Sequence, residues 1–157
     1  MSIEPLPSPA AAIPHKDDAV LLDEIRHADG NRVTAVATVR PGTAFSDAAG
    51  NLPGWVGPEI MAQAVAVFSG CRSLRDRGES AEIGLLLGIR DYESAVAEFR
   101  IGDQLQIEVV RSSEDEEGRG VFDGSISMAG AVVASGTLTV FEPKDGSFLE
   151  AARARDD

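Results

Sequence analysis

Histidine, cysteine and basic residues are scarce in this chain of 157 residues. It holds one cysteine, Cys71, and two histidines, His15 and His27, and its 26 acidic residues outnumber the 14 basic ones, which gives a formal net charge of −12 at pH 7. One cysteine allows no internal disulfide, and two separated histidines form no metal-ligand cluster. An acidic protein is a poor partner for nucleic acid, whose phosphates need basic surface. We therefore expect no metal, no cofactor and no nucleic acid, and we expect Cys71 to be a small core residue.

Long apolar runs are also missing. No stretch approaches the roughly 20 apolar residues of a membrane span, and residues 1–9 have neither the basic start nor the apolar core of a secretory signal. We expect a cytoplasmic protein that does not enter a membrane. The length predicts a single domain over residues 1–142, with an irregular segment at 1–11 and a polar tail at 143–157.

The most informative segment is residues 52–68, where apolar side chains occupy nearly every face of a helix candidate. This pattern predicts a buried helix at about 55–75. Glu59 and Gln63 interrupt it at i and i+4, on one face and one turn apart. A carboxylate in apolar surroundings tends to have a raised pKa, which suits a general acid or base. Glu59 and Gln63 are therefore candidate catalytic residues. The alternative is that Glu59 satisfies free N–H groups in its own first turn.

Alternating hydrophobicity predicts strands on both sides of this helix. The expected strands are at 19–26 and 33–39, joined by an Asp-Gly-Asn turn, and at about 83–92, 103–113, 119–128 and 131–142. Consecutive hairpins form an antiparallel sheet, and a single apolar helix beside such a sheet is buried only if the sheet wraps around it. The predicted fold class is α+β, the hotdog fold, with an antiparallel β-sheet wrapped around one long central α-helix.

Three blocks of the sequence carry a family resemblance. They are the run from Ile13 to Ile25, the run from Pro53-Gly54 through Glu59 to the Met-Ala-Gln-Ala at 61–64, and the run from Gly88-Ile89 to Gly102-Asp103. In this order they resemble the FabZ/FabA-type 3-hydroxyacyl-acyl-carrier-protein dehydratases over about residues 12–142. Within that family the chain looks closest to the ApeP-like proteins that accompany aryl-polyene biosynthesis. The resemblance implies the hotdog fold and dehydratase chemistry.

One position departs from the pattern of that family. Its catalytic histidine lies in a Gly-His-Phe-Pro-Gly loop before the helix acid, and the corresponding segment here is residues 43–47. Phe45 matches the loop phenylalanine, so Ala44 stands where the histidine should be. His15 matches a different family histidine, which we interpret as structural.

The resemblance also implies roles for individual residues. In the family the helix acid handles the leaving hydroxyl, and a backbone N–H at the helix start polarises the thioester carbonyl. Glu59 matches the acid, with Gln63 beside it, and Gly54 matches the N–H donor. We expect an acyl pocket between two protomers, with Glu59 at its polar end. Its predicted lining residues are Phe45, Leu52, Trp55, Val56 and Gly88.

Three functions remain open at this point. The first is a 3-hydroxyacyl-thioester dehydratase of fatty acid or polyketide biosynthesis that shares its site with a histidine-bearing hotdog partner, because the histidine and the acid of each site in this family come from different subunits. The second is a hotdog thioesterase in which Glu59 activates water. The third is a non-catalytic acyl-thioester-binding subunit.

The expected partners follow from the same reasoning. A homodimer or heterodimer should form edge to edge through the apolar strand at about 83–92, which would otherwise be exposed. The acyl group should arrive on acyl carrier protein or as a coenzyme A thioester. Carrier proteins are acidic, so the net charge of −12 disfavours them except at a local basic patch, for which Arg72, Arg75 and Arg77 are candidates.

Overall fold

Eight strands and two α-helices make up the part of the chain that the computed structural model describes, residues 5–77 and 85–141. For residues 72–77 and 85 it describes the backbone only. The helices are α1 (Pro9–Ala12) and α2 (Gly57–Arg77), and the strands are β1 (Glu24–Ala28), β2 (Arg32–Thr38), β3 (Leu52–Pro53), β4 (Leu85–Ser94), β5 (Glu98–Phe99), β6 (Gln104–Glu114), β7 (Arg119–Met128) and β8 (Ala131–Phe141). Short 3-10 turns lie at Asp17–Ala19 and Gly54–Val56.

Six of the strands form one sheet in the order β1-β2-β6-β7-β8-β4, and β3 pairs with β5 in a separate short ladder. All of these pairings are antiparallel. The predicted antiparallel sheet is therefore confirmed. On β6, Leu105, Ile107 and Val109 are buried while the residues between them are exposed, as a sheet with one face on a core requires.

The long helix α2 lies against this sheet and contacts each of its six strands. Its buried side chains include Ile60, Met61, Ala64, Val65, Val67 and Phe68, each at most 6% exposed. Burial of one such large apolar side chain contributes about 1.5–3 kcal/mol. The predicted central helix, enclosed by the sheet, is confirmed. Cys71 is also in the core at 2% exposure, as expected, and burial raises the pKa of its thiol.

Two glycines let backbones approach closely around α2. A Cβ atom at Gly70 would lie 1.7 Å from the carbonyl oxygen of Ala12, and one at Gly124 would lie 2.7 Å from Sδ of Met61. Gly70 thus allows α1 to pack directly on α2, and Gly124 allows β7 to do the same. The contact at Gly70 anchors the chain just before it reaches His15.

Two details differ from the sequence-based expectation. The segment 1–11 was expected to be irregular, but residues 9–11 belong to α1, which begins with Ser8 as its N-cap and Pro9 in the first turn. The first long strand begins at Glu24 rather than at residue 19. The reason is that the backbone of Ala19 and Leu21 hydrogen bonds to a side chain of α2 instead of to β2.

The edge of the sheet at β4 carries exposed apolar side chains, with Leu86 at 42% and Leu87 at 51% exposure. This is the apolar edge on which the expected dimer depends, and the dimer itself stays a prediction. The tail at 143–157 and the side chains of Arg72, Arg75 and Arg77 lie outside the described residues. Within 5–77 and 85–141, no helix has the length and apolarity needed to span a membrane.

Candidate active site

Glu59 lies in the first turn of α2, and two side chains hold its carboxylate. Its Oε1 atom is 3.1 Å from Nε2 of His15 and 3.1 Å from Nε2 of Gln63. The side chain of Glu59 is 29% exposed, so it is neither fully buried nor open to bulk solvent. The structure therefore brings together Glu59 and Gln63, as the i and i+4 spacing predicted, and adds His15.

Gln63 is fully buried, and its amide is fully engaged. Its Oε1 accepts from the N–H of Leu21 at 2.9 Å, and its Nε2 donates to the carbonyl of Ala19 at 2.7 Å as well as to Glu59. These bonds fasten the segment before β1 to the helix. An amide used in this way orients the carboxylate, which makes Gln63 a positioning residue and leaves it no group with which to touch substrate.

The ionisation of Glu59 differs from the expectation. Burial raises its pKa, but the hydrogen bonds from His15 and Gln63, together with the charge of His15, outweigh burial, and the net pKa lies below the ordinary value. The predicted raised pKa is wrong because the acid is not surrounded by apolar groups alone. At neutral pH Glu59 is a carboxylate.

His15 reaches Glu59 from the segment that follows α1. Its side chain is 27% exposed, and its Nδ1 atom is buried without a hydrogen-bond partner among the described residues. When Nε2 carries the proton and donates to Glu59, Nδ1 is left as the acceptor nitrogen of the neutral ring. The sequence interpretation of His15 as structural missed this contact.

Gly54 is placed beside the start of α2, but both of its backbone polar groups have partners. Its N–H donates to the carbonyl of Ala97 at 2.8 Å, and its carbonyl accepts from the hydroxyl of Tyr92. Gly57 makes room for that hydroxyl, since a Cβ there would lie 2.0 Å from it. The geometry does not support an N–H of Gly54 free to polarise a thioester, and that role stays a prediction.

The predicted lining residues are scattered. Leu52 and Val56 are core residues, at 3% and 0% exposure, whereas Trp55 is 71% exposed. Phe45 packs partly buried against the core, and Gly88 is exposed on β4. A pocket between protomers could still use the exposed residues, but Leu52 and Val56 already fill the interior of their own protomer.

A cavity of about 210 Å³ adjoins Glu59 and His15 within the protomer, and none of the five predicted residues lines it. Its helix wall is a stripe of half-buried residues at i, i+3, i+7 and i+10 from the acid, namely Glu59, Ala62, Ala66 and Ser69. Its sheet wall includes Leu86, Phe122 and Val140. Ala62, Ala66 and Ser69 are small residues on the same face of α2 as Glu59, and this pattern was a sequence signal for the cavity. The predictions from sequence overlooked it because nearly every face of the helix is apolar.

Arg111 and Glu114 also line this cavity. The guanidinium of Arg111 lies 5.2 Å from the ring centre of Phe68 and 5.5 Å from that of Phe122, and its Nη1 donates to Glu114 at 3.0 Å. Its Nε is buried and has no hydrogen-bond partner within the described part of the chain. Sequence reasoning gave Arg111 no role because it reads as an ordinary polar residue near the end of a strand.

The described residues contain no group of three or more histidine, cysteine, aspartate or glutamate side chains that could hold a metal ion. The polar side chains at this site and along the cavity include the acid–imidazole pair, Ser69, and Arg111 with Glu114.

An antiparallel sheet around one long helix defines a hotdog protein. The chain belongs to the ApeP-like family, because the family model described as ApeP dehydratase matches residues 7–151. A chain of the dehydratase heterocomplex ApeI:P from Xenorhabdus doucetiae is 32% identical, with a TM-score of 0.81, and the match covers 93% of this chain and 97% of that one. The hotdog fold and a dehydratase-like function are confirmed.

More distant structures agree on the fold alone. A mutant of the phenylacetic acid degradation protein PaaI from Thermus thermophilus is 19% identical over 76% of this chain and 91% of its own, with a TM-score of 0.54. A hypothetical thioesterase with coenzyme A from Streptococcus pneumoniae is 18% identical over 75% and 86%, with a TM-score of 0.52. No curated protein sequence matches the chain.

Proposed function

We propose that this chain is one subunit of a 3-hydroxyacyl-thioester dehydratase of fatty acid or polyketide biosynthesis, and that a histidine-bearing hotdog partner completes its active site. The observation that carries the proposal is the pairing of Glu59 with His15 beside a cavity, while Ala44 occupies the position of the loop histidine. The similarity to a chain of a dehydratase heterocomplex supports a mixed rather than a self-contained site.

The reaction needs a base for the C2 proton and an acid for the C3 hydroxyl. In the proposed site the loop histidine of the partner takes the C2 proton, and the C2–C3 double bond forms as the C3–O bond breaks. The imidazole of the His15–Glu59 pair, carrying a second proton in this step, gives that proton to the departing hydroxyl, which leaves as water. The proton on the partner's base then returns to the pair, so the site is ready for the next turnover.

His15 has a specific part in this scheme. Because the pKa of Glu59 is lowered, the carboxylate alone carries no proton to give at neutral pH. In the proposed step the imidazole 3.1 Å away carries the proton that is delivered through the same hydrogen bond. We therefore assign the acid function to the pair rather than to Glu59 alone.

Assembly with the partner would use the exposed edge of β4, where Leu86 and Leu87 are accessible. A dimer formed there would cover apolar surface that is unfavourable in water. The acyl carrier, acyl carrier protein or coenzyme A, and the cytoplasmic location stay predictions.

The test is an assay with 3-hydroxyacyl thioesters, run with this chain alone, with a hotdog partner that carries the Gly-His-Phe loop, and with both together. Enoyl product and free thiol are measured in the same samples. We expect enoyl formation by the mixture to exceed that of this chain alone by about 10²–10⁴, since a positioned base contributes that much.

Other outcomes assign the other functions. Thiol release without enoyl product would make the protein a thioesterase, and binding without turnover in any mixture would make it a non-catalytic acyl-thioester subunit. Rapid dehydration by this chain alone would overturn the mixed site and give the role of base to His15.

A further inference from the structure

We propose that Tyr92 is a positioning residue for the reaction, because it ties the start of α2, and with it Glu59, to the edge strand β4 on which the partner is proposed to dock. The inference rests on the proposed function, which needs the acid of this chain and the histidine of the partner at one place. It adds a residue that acts on that site through the backbone of Gly54.

The first support is the way one chain segment holds Gly54. The hydroxyl of Tyr92 donates to the carbonyl of Gly54, and the N–H of Gly54 donates to the carbonyl of Ala97 at 2.8 Å. A Cβ atom at Gly54 would lie 2.8 Å from the carbonyl oxygen of Val96, so the two backbones are also in close contact. Residues 92–97 therefore hold both polar groups of the Gly54 backbone.

The second support is a β-bulge at the edge of the sheet. The pairing of β4 with β8 shifts between Arg90 and Glu93, so that two residues of β4 lie opposite one residue of β8. One of the two is Asp91, whose φ of 54° lies in the left-handed region. Bulges at sheet edges redirect side chains, and such backbone strain persists only where the surroundings enforce it. The side chain redirected here is Tyr92, whose hydroxyl reaches the start of α2.

The third support is the space left for this side chain. A Cβ atom at Gly57 would lie 2.0 Å from the hydroxyl of Tyr92, and one at Gly136 on β8 would lie 3.4 Å from its Cα. Gly57 has a φ of −48° and a ψ of −46°, a right-handed helical conformation that any residue adopts. Its backbone conformation therefore does not require glycine. The approach of the Tyr92 hydroxyl does.

The fourth support is the protonation of the hydroxyl. Burial raises the pKa of Tyr92, and this effect outweighs the hydrogen bond with Ser94, which lowers it. The hydroxyl therefore keeps its proton at neutral pH and remains a donor to the carbonyl of Gly54.

These contacts bear on where the acid lies relative to the partner. The carbonyl of Gly54 also accepts from the N–H of Gly57, which precedes Glu59 by two residues at the start of α2. Because β4 is the edge of the sheet, Tyr92 fixes the helix start against the strand that a docked partner would pair with. A misplacement of about 1 Å between reacting groups costs about 10²-fold in rate. Loss of the tie should therefore slow the chemical step without weakening the binding of partner or thioester.

The experiment measures dehydration of 3-hydroxydecanoyl pantetheine by the complex of this chain with the hotdog partner that carries the Gly-His-Phe loop. Tyr92→Phe removes only the hydroxyl. We expect kcat to fall about tenfold, with KM and the affinity for the partner within about twofold of wild type. A merely structural role would lower the melting temperature and leave kcat unchanged.

Ser112→Ala is the matched control for the loss of a hydroxyl. Ser112 also donates to a backbone carbonyl, that of Val121 at 3.1 Å, but this bond lies on the exposed end of β6, away from α2. The control should keep the wild-type kcat.

Gly57→Ala breaks the same tie from the other side. It keeps the hydroxyl of Tyr92 but places a methyl group against it, while alanine favours the helix more than glycine does. We expect a similar tenfold loss of kcat, roughly, and no further loss in the double variant with Tyr92→Phe, since two substitutions that remove one interaction are not additive. A double variant that loses about a hundredfold would contradict a shared cause.

Amide hydrogen exchange in the free chain tests the tie without the reaction. In Tyr92→Phe the N–H of Gly57 should exchange about fivefold faster, because its acceptor, the carbonyl of Gly54, is held less firmly. The N–H of Leu21, which donates to Gln63 at 2.9 Å, should exchange at the wild-type rate.

Either of two results would overturn the proposal. They are an unchanged exchange rate at Gly57 in Tyr92→Phe, and a wild-type kcat of that variant in an active complex. Failure of the proposed function is distinguishable, since it would show as an inactive mixture of the wild-type chains. The exchange rates would still decide whether Tyr92 holds the start of α2.

Discussion

The two ends of the cavity differ in how completely their polar groups are satisfied. At one end, Gln63 uses its amide on the backbone of Ala19 and Leu21 and on Glu59, so the acid is fixed before any substrate arrives. At the other end, Arg111 is held by aromatic rings and one carboxylate, with one buried donor unused by any described residue. A group that moves a proton is best preorganised, and the hydrogen bonds around Glu59 meet that requirement.

The largest expected effect on stability comes from loosening the fixed end. Gln63→Leu keeps the volume of the side chain but leaves the N–H of Leu21 unpaired in the interior and the carbonyl of Ala19 unpaired in a part-buried position. We expect a loss of about 3 kcal/mol in the free energy of unfolding, measured by urea denaturation. The matched control is Gln106→Leu on the exposed face of β6, which should change stability by less than about 0.5 kcal/mol. Equal midpoints for the two variants would show that the amide does not fasten the site.

A second substitution removes the imidazole from the same end. In His15→Phe the carboxylate of Glu59 loses a donor while its burial remains, so its pKa should rise. The rise can be followed by carbon NMR titration of the carboxyl group. His27→Phe is the control, because His27 pairs with Asp29 at 2.7 Å and not with Glu59. An unchanged pKa of Glu59 in His15→Phe would contradict the assigned pair.

The sign of the pH dependence follows from the lowered pKa of Glu59. The group contributes stability that is present above its unfolded pKa and is lost as pH falls through its folded pKa. The stability difference between wild type and His15→Phe should therefore be largest at neutral pH and shrink in acid. A difference that grows in acid would mean that the ion pair is not its source.

Particular elements show how much of the fold and of the candidate site the sequence could predict. The apolar run at 52–68 and the alternation at 119–128 predict α2 and β7, because periodicity reports which faces are buried. The i and i+4 spacing likewise predicts that Glu59 and Gln63 meet. His15 lies far from Glu59 along the chain, and no local pattern could bring them together, since that contact depends on α1 packing at Gly70.

The sequence did not predict the cavity either, because its lining also depends on contacts between separate elements. Leu52 and Val56 are as apolar as lining residues would be, and composition cannot tell a side chain that fills the core from one that borders a space. Arg111 lies on β6, and its position between Phe68 and Phe122 follows from the pairing of β6 with β7 and their packing on α2. Such cross-element contacts are set by register and packing, which sequence periodicity does not specify.

The smallest expected effect on stability comes from a substitution outside the cavity, at Asp29 in the β1–β2 turn. Asp29 accepts from the N–H groups of Asn31 and Arg32 in the β1–β2 turn, and its contact with His27, followed by these two bonds, lowers its pKa. Because the turn is partly open to solvent, Asp29→Ala should cost about 1 kcal/mol or less in stability. Dehydration by the mixed complex should be unaffected. A loss of activity comparable to that of a substitution at Glu59 would show that the cavity is not the separate functional region described here.

The most direct test of the central claim is complementation with Glu59→Gln. The variant chain is combined with the wild-type histidine-bearing partner, complex formation is checked by sedimentation, and enoyl formation from a 3-hydroxyacyl thioester is measured. We predict an intact complex whose rate falls by about 10²–10⁴ relative to the complex with the wild-type chain, as expected for loss of an acid group. An intact complex that dehydrates at the wild-type rate would contradict the account, because Glu59 would then have no part in the reaction.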